Sequence, residues 1–319
     1  MNYQPIFLAL ALYLSAQPGD VVASEQQPQQ WLERMSAAMS QMNYQGTFVY
    51  VRGEDVETVR ITHIVDENGT HERLVAVSGG AREVVRDAGG VRWIAGDEGV
   101  VLANSSANRT FFPELPLDNS AQADENYQFL LEGQQRIAGH TARQLDITPR
   151  DQFRYGYRLW LELQSGLLLK WELTGTGGEA LAKLMFTELK MGAEVNPREL
   201  RSKATPREPA AFPDQPVSAG RPLWQAKKLP PGFHLASHRQ QPATADQLFE
   251  HLVYSDGIAV VSVYIEPADD DTALNLGLSK MGTTHAYSHR LESEIITALG
   301  DVPAITVKLI GESVGPASH

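Results

Sequence analysis

The stretch Asn43–Gly53, NYQGTFVYVRG, places Phe48 and Tyr50 on one side of an extended chain and Val49 and Val51 on the other. A half-solvated strand alternates apolar with polar residues, and this one does not. Two arrangements satisfy the pattern. Either protein covers both faces of the sheet, or one face is kept for an apolar ligand.

The segments that follow are short extended runs separated by turn signals. VETVRITHIVDENGTHERLVAVSG carries two of them around Asp66-Glu-Asn-Gly69, whose Asn-Gly pair suits a tight hairpin. AREVVRDAGGVRWIAG repeats the arrangement with Gly89-Gly90 at its turn. Later, in YGYRLWLELQSGLLLKWELTG, Tyr157, Leu159, Leu161 and Leu163 face one way while Arg158, Trp160 and Glu162 face the other, and Gln164-Ser165-Gly166 closes the hairpin. Consecutive strands joined by short turns build an antiparallel meander, which excludes a βαβ fold. Between the early and late hairpins, PELPLDNSAQADENYQFLLEGQQ predicts one or two short helices with Tyr127, Leu130 and Leu131 inward.

Ahead of the first strand, Trp31, Met35, Met39 and Met42 recur at spacings of four, four and three. That is one helical stripe, with Pro28 suited to its first turn and Gly46 beyond its end. A helix docked on a sheet explains the stripe; its three methionines also suit an irregular apolar ligand.

The composition breaks at Lys203–Pro222, which carries prolines at 206, 209, 213, 216 and 222. Proline at that density blocks regular ladders, so the segment reads as a semi-extended join. Beyond it, QLFEHLVYSDGIAVVSVYIEP predicts a hairpin turning at Ser255-Asp256-Gly257, with Ile258–Ile265 covered on both faces. HAYSHRLESEIITALGDVPAITVKLIGES adds two or three more strands. The expected division is a signal peptide over 1–23, a large domain over 24–202, the join over 203–222 and a small sheet-rich domain over 223–319.

With 42% hydrophobic and 21% charged residues, the 319-residue chain is ordinary for globular protein. Its net charge of −12, from 39 acidic and 27 basic residues, argues against nucleic acid as a partner, because no excess of cations exists to neutralise phosphates. Cysteine is absent, so disulfides and thiolate chemistry are excluded. The apolar run Ile6–Leu14 has the length of a signal-peptide core and is too short to span a bilayer, and Val21-Val22-Ala23 before Ser24 fits a small-residue cleavage site. The defect is the first five residues, MNYQP, which carry no Lys or Arg. Removing 1–23 takes away only Asp20 and leaves −11.

Catalytic and metal-binding patterns are weak. His285 and His289 are four apart, but in a strand that spacing separates them by roughly 13 Å, and no HExxH pattern occurs. No G-x-S-x-G elbow and no phosphate-binding loop is present, and nothing proposes an enzyme or a cofactor. Two stretches rise above this background. Arg82, Arg86 and Arg92 flank Trp93, and Arg150, Arg154 and Arg158 interleave with Phe153, Tyr155, Tyr157 and Trp160. Arginine among aromatics suits a protein interface or an anionic head group, although exposed arginines beside edge-strand aromatics are the plainer explanation.

The order WLERMSAAMSQMNYQGTFVYVRG, ERLVAVSGGAREVVRD, ITPRDQFRYGYRLWLELQSGLLLK, LPPGFHL and YSDGIAVVSVYIEP resembles the RseB/MucB family over nearly the whole mature chain. YQGTFVY and TPRDxxRYGY carry the likeness most specifically. The resemblance implies an α+β architecture: a large curved antiparallel half-barrel, like that of the lipoprotein carrier LolA, plugged by helices, plus a smaller sheet-rich α+β domain. It implies a periplasmic, non-enzymatic negative regulator of a sigma-E-type envelope stress response. Such a protein binds the periplasmic region of a membrane-anchored anti-sigma factor of the RseA/MucA kind, shields it from proteolysis, and is released by a lipid or lipopolysaccharide fragment. On that footing Met35, Met39, Phe48, Tyr50, Trp93 and Leu130 become candidates for lining a ligand cavity. Arg150, Phe153, Arg154, Tyr155, Arg158 and Trp160 become candidates for touching the partner. A homo-oligomer is compatible with the sequence. The alternative is a lipid or lipoprotein carrier using the same cavity; the second domain favours the regulator, because a carrier needs only the half-barrel.

Overall fold

The structure, a computed structural model, describes residues 27–80, 82–88, 90–95, 100–103, 120–192, 195–202, 221–242, 248–268 and 276–317. The expected leader 1–23 and all but the end of the proline-rich join lie outside the described residues.

Helix α1 (Pro28–Gln41) opens with Pro28 at its first position, and the Met42 N–H donates to the Ala38 carbonyl at its end. It buries Trp31, Leu32, Met35 and Ala38, while Met39 is half-buried. The strands after it are β1 (Tyr44–Arg52), β2 (Asp55–Asp66), β3 (Gly69–Ala76), β4 (Arg82–Asp87), β5 (Gly90–Ala95) and β6 (Val100–Ala103). A short helix α2 (Ser120–Asn126) leads to β7 (Tyr127–Ile137), β8 (His140–Pro149), β9 (Gly156–Glu162), β10 (Leu168–Thr174) and β11 (Ala180–Met191). All eleven strands join one antiparallel sheet in the order β6-β5-β4-β3-β2-β1-β11-β10-β9-β8-β7. The two meanders are sewn together where β1 pairs with β11.

Laid flat, eleven strands would spread about 48 Å, far wider than a helix of about 10 Å. Yet Trp31 and Met35 of α1 share one core cluster with Leu74 and Val84 on one wing and with Tyr127 and Leu145 on the other. β7 also touches β11, four places away in the strand order. The sheet therefore curls around α1 without closing, and β6 and β7 remain its edges. Arg34 ties the helix down: its guanidinium lies 4.4 Å over the Trp31 ring and donates to the carbonyls of Leu163 (3.1 Å) and Gln164 (2.6 Å).

The two faces of β1 are now assigned. Tyr44, Gly46 and Phe48 are buried against the core, with Tyr50 half-buried on the same side. Val49 and Val51 stand half-buried on the outside, opposite Met185 and Lys183. Gly46 is required by packing, since a Cβ there would meet the Glu188 carbonyl and lie 2.9 Å from the Phe186 ring. That ring meets Phe48 edge-on at 5.6 Å.

The segment holds one short helix, α2, as expected, but from Tyr127 onward it is a strand, so its faces alternate. Tyr127 is buried, Phe129 and Leu131 are partly buried on its side, and Leu130 is 48% exposed. Leu130 is thereby corrected from the inside to the outside.

The second sheet has the order β13-β14-β15-β18-β17-β16, from β13 (His234–Pro242), β14 (Leu248–Ser255), β15 (Val260–Pro267), β16 (Gly277–Met281), β17 (Thr284–Leu291) and β18 (Glu294–Gly300). A separate two-stranded ribbon pairs β12 (Trp224–Ala226) with β19 (Val314–Pro316). Of the two or three strands expected over this last stretch, β17 and β18 form, and α3 (Ala304–Ser313) takes the place of a third, between β18 and β19. The β-branched Ile305, Thr306 and Val307 favour extension, but burial falls on Thr306, Val307, Ile310 and Gly311, a helical period that packs onto β17 and β18. β15 is fully covered on one face only: Val261, Val263 and Ile265 are buried, whereas Val260 is 39% exposed. Ile258 and Ala259 precede the strand and belong to the β14–β15 turn.

Candidate functional site at the domain junction

The β8–β9 connection, Arg150–Tyr155, is shaped by its own side chains. Asp151 Oδ1 accepts the Phe153 N–H (2.9 Å), an Asx turn that rotates Arg154 away from solvent. Asp151 then takes the Arg154 guanidinium in bidentate fashion, Nε at 3.1 Å and Nη2 at 2.9 Å. Arg150 braces the base of the loop, its backbone N–H on the Asn126 carbonyl (2.9 Å) and its Nε on the Tyr127 carbonyl (3.2 Å).

Arg154 is fully buried and reaches into the second domain. Its Nη1 donates to Asp256 Oδ2 at 2.5 Å and its Nη2 to the Pro231 carbonyl at 2.6 Å. The Tyr127 and Phe233 rings flank the guanidinium at 5.4 and 5.3 Å. Asp256 belongs to the β14–β15 turn, and its carboxylate is saturated. Oδ1 accepts the N–H groups of Ile258 (2.9 Å) and Ala259 (2.7 Å); Oδ2 accepts Arg154 and the Tyr127 hydroxyl (3.0 Å). Burial first, and then the Asp256 charge, push that tyrosine's pKa well above its usual 10.0, so it remains a hydrogen-bond donor. A buried charge pair is tolerated only when its remaining donors and acceptors are met, and here they are.

Apolar packing crosses the same boundary. Ile258 is 4% exposed and belongs to the large domain's core cluster. On the other side Thr306 Oγ1 of α3 donates to the Phe153 carbonyl at 2.6 Å. The His285 ring sits 6.5 Å from that of Tyr155 while its Nδ1–H donates to the Val302 carbonyl (2.8 Å). Beside it Asp301 accepts from Thr283 Oγ1 (3.0 Å) and Thr284 Oγ1 (2.6 Å). Burial raises the pKa values of Tyr50, Tyr155 and Tyr157, and the Asp301 charge raises each further.

The sequence candidates divide accordingly. Phe153, Arg154 and Tyr155 form the junction between domains, so Arg154 is closed to any partner arriving from solvent in this conformation. Arg150 is exposed. Arg158 pairs with Glu172 Oε2 (3.0 Å), donates to the Gly178 carbonyl (2.7 Å), and borders a cleft of about 340 Å³ that also touches Asp146, Asp151 and Tyr157. Trp160 is on the outer face of the sheet but 4% exposed, with Lys170 Nζ 3.7 Å from its ring centroid. Among the cavity candidates, Met35 and Phe48 are packed inside the core cluster, and Met39, Tyr50 and Trp93 lie half-buried against it. Leu130 lies outside it. Asp256, Tyr127, Ile258 and Thr306 were not among the site candidates; the sequence placed Tyr127 inward, Asp256 in a hairpin turn and Ile258 at the start of a strand. The only signal was an aspartate in a turn whose apolar neighbours extend further than a hairpin needs.

Among the described residues no group of three His, Cys, Asp or Glu is placed to hold a metal, and no helix is long and apolar enough to cross a membrane.

The MucB/RseB N-terminal domain family matches residues 27–204, and the MucB/RseB C-terminal domain family matches residues 218–315. The sigma factor AlgU regulatory protein MucB of Pseudomonas aeruginosa is 35% identical over 293 residues, 90% of each chain. The sigma-E factor regulatory protein RseB of Haemophilus influenzae is 25% identical over 307 residues, 96% of each. Among solved structures, the MucA/MucB complex of P. aeruginosa superposes with a TM-score of 0.71 at 30% identity, covering 92% of this chain and 99% of that one. MucB alone gives 0.65 at 30% identity, covering 90% and 97%. With both of its domains matched in this way, the chain belongs to the MucB/RseB family.

Proposed function

We propose that this chain is a periplasmic negative regulator of an envelope stress response, acting by binding and not by catalysis. Its partner is the periplasmic region of a membrane-anchored anti-sigma factor, which it protects from proteolysis, and a lipid- or lipopolysaccharide-type ligand releases it. The observation that carries this reading is the likeness to MucB crystallised with the periplasmic part of MucA, at 29% identity and TM-score 0.69 over 92% of this chain. Because that likeness spans both domains, the whole mature chain is the binding unit.

In this reading Arg150 and Arg158, reachable from solvent or from the bordering cleft, contact the partner, and Arg154, Tyr155 and Trp160 hold their supporting elements in place. An acyl chain enters along the half-buried Met39, Tyr50 and Trp93, beside the core that Met35 and Phe48 fill.

The test is capture of the anti-sigma factor's periplasmic segment from the same organism by residues 24–319, followed by challenge of the complex with the stress protease. Retention of the segment and slower cleavage support the regulator. No capture, with lipid still taken up, supports the carrier instead.

A further inference from the structure

Seen from the large domain, the β14–β15 turn is a carboxylate next to an aliphatic side chain. Asp256 Oδ2 sits 2.5 Å from Arg154 Nη1 and 3.0 Å from the Tyr127 hydroxyl, and Ile258 enters the core cluster beside them. We propose that this mouth of the large domain, Tyr127 and Arg154, is a binding site for an anionic amphiphile, occupied here by the chain's own Asp256 and Ile258. The inference rests on the lipid-release reading above and adds to it the place of entry and an internal competitor.

Three features make the site persist when the second domain lifts away. Arg154 is aimed by Asp151 of its own loop, through Nε and Nη2, so the guanidinium keeps its direction without Asp256. Nη1 and the Tyr127 hydroxyl then converge on one vacated oxygen position, where a carboxylate or phosphate oxygen fits. Asp151 does not forbid a second negative group, because Asp256 already occupies that position with Asp151 in place. Withdrawal of Ile258 opens a gap of one aliphatic side chain into the core, the first length of an acyl chain.

Docked domain and amphiphile thus exclude each other. Apparent affinity for the ligand is its intrinsic affinity reduced by the fraction of open molecules, and anything that traps the open form strengthens it.

The chain has no cysteine, so introduced thiols report alone. A Cβ at Gly232 falls 2.9 Å from the side-chain carboxamide carbon of Asn126, within reach of a disulfide between Asn126→Cys and Gly232→Cys across the junction. Gly232 has φ 79°, which strains a cysteine, so Asp256→Ala, which opens the junction instead, is the second variant. Binding of dodecyl phosphate below its micelle concentration is measured on the full mature chain, with dodecyl maltoside and inorganic phosphate as separate arms. The expected result is roughly tenfold tighter binding by Asp256→Ala than by the unmodified chain, loss of binding in the oxidised double-cysteine form, and recovery on reduction. Dodecyl maltoside and phosphate alone bind more weakly than dodecyl phosphate in every form. Equal binding of dodecyl phosphate by oxidised, reduced and Asp256→Ala proteins overturns this inference and leaves lipid release standing. No binding by any form overturns both, while capture of the anti-sigma segment still tests the regulator independently.

Discussion

Arg154 and Asp256, 102 residues apart in sequence, form a wholly buried ion pair at 2.5 Å that joins the large sheet to the second domain. Removing one partner of a buried pair costs about 3–5 kcal/mol when the other is left uncompensated, and less here because Asp151 still pairs Arg154. Asp256→Ala is expected to pay that at the junction and not in either core. Hydrogen exchange over residues 150–155 therefore quickens while far-ultraviolet circular dichroism is unchanged. Asp256→Asn, which keeps an acceptor but not the charge, falls between. Wild-type protection of 150–155 in Asp256→Ala would show that the pair does not hold the domains.

Gly46 tests the close crossing of β1 and β11. Gly46→Ala pushes a methyl group into the Glu188 carbonyl and the Phe186 ring, neither free to move, and overpacking of this kind costs about 1–3 kcal/mol. Gly133 in β7 has nothing within 4 Å of the same added atom, so Gly133→Ala is expected to leave the urea midpoint within experimental reach of wild type. Similar midpoints for both variants would contradict the packing described.

Phe48 and Leu130 were given one role by the sequence and opposite ones by the structure. Phe48→Ala empties a fully buried site and is expected to cost about 3–5 kcal/mol. Leu130→Ser changes an exposed position and stays within about 0.5 kcal/mol. Thermal unfolding of the two variants side by side decides it, and a strongly destabilised Leu130→Ser protein would return Leu130 to the interior.

Acid should weaken the fold through three histidines. Burial is the largest influence on His63, His251 and His289, and each has a pKa below the usual 6.5. For a depressed histidine the unfolded chain binds the proton more tightly, so the contribution is intact above the unfolded value and declines as pH falls below it. Tm is expected to decrease from pH 6.5 to 5. His251 stacks on Tyr264 at 4.3 Å with Nε2 unbonded, so His251→Phe keeps the stack, removes the titration and flattens the decline. A flat Tm profile across that window for the unmodified chain would contradict the assignment.

The meander was readable because hairpin turns are local chemistry: the Asn68-Gly69 and Gln164-Ser165-Gly166 turns appear where the sequence places them. The β1 pattern raised the right question, since two-sided bulk marks a strand whose outer residues are half-covered by neighbours such as Met185. Two elements misled for physical reasons. Ile305-Thr306-Val307 have strand propensity overridden by packing of Val307 and Ile310, and the stretch around Leu130 shows too little contrast between faces to separate helix from strand. The junction was half legible. Arg154 stood out among aromatics, but Asp256 lies 102 residues away, and no local pattern announces a partner at that distance.

The central claim is that one protein binds an anti-sigma segment and a lipid at each other's expense. Linkage requires each to weaken the other by the same factor. The direct measurement is calorimetric titration of residues 24–319 with the anti-sigma factor's periplasmic segment, without and with saturating lipopolysaccharide, and then the reverse titration. The account predicts tight binding of the segment, weakened by lipopolysaccharide by the factor by which the segment weakens lipopolysaccharide binding. Equal affinity for the segment with and without saturating lipopolysaccharide would contradict it.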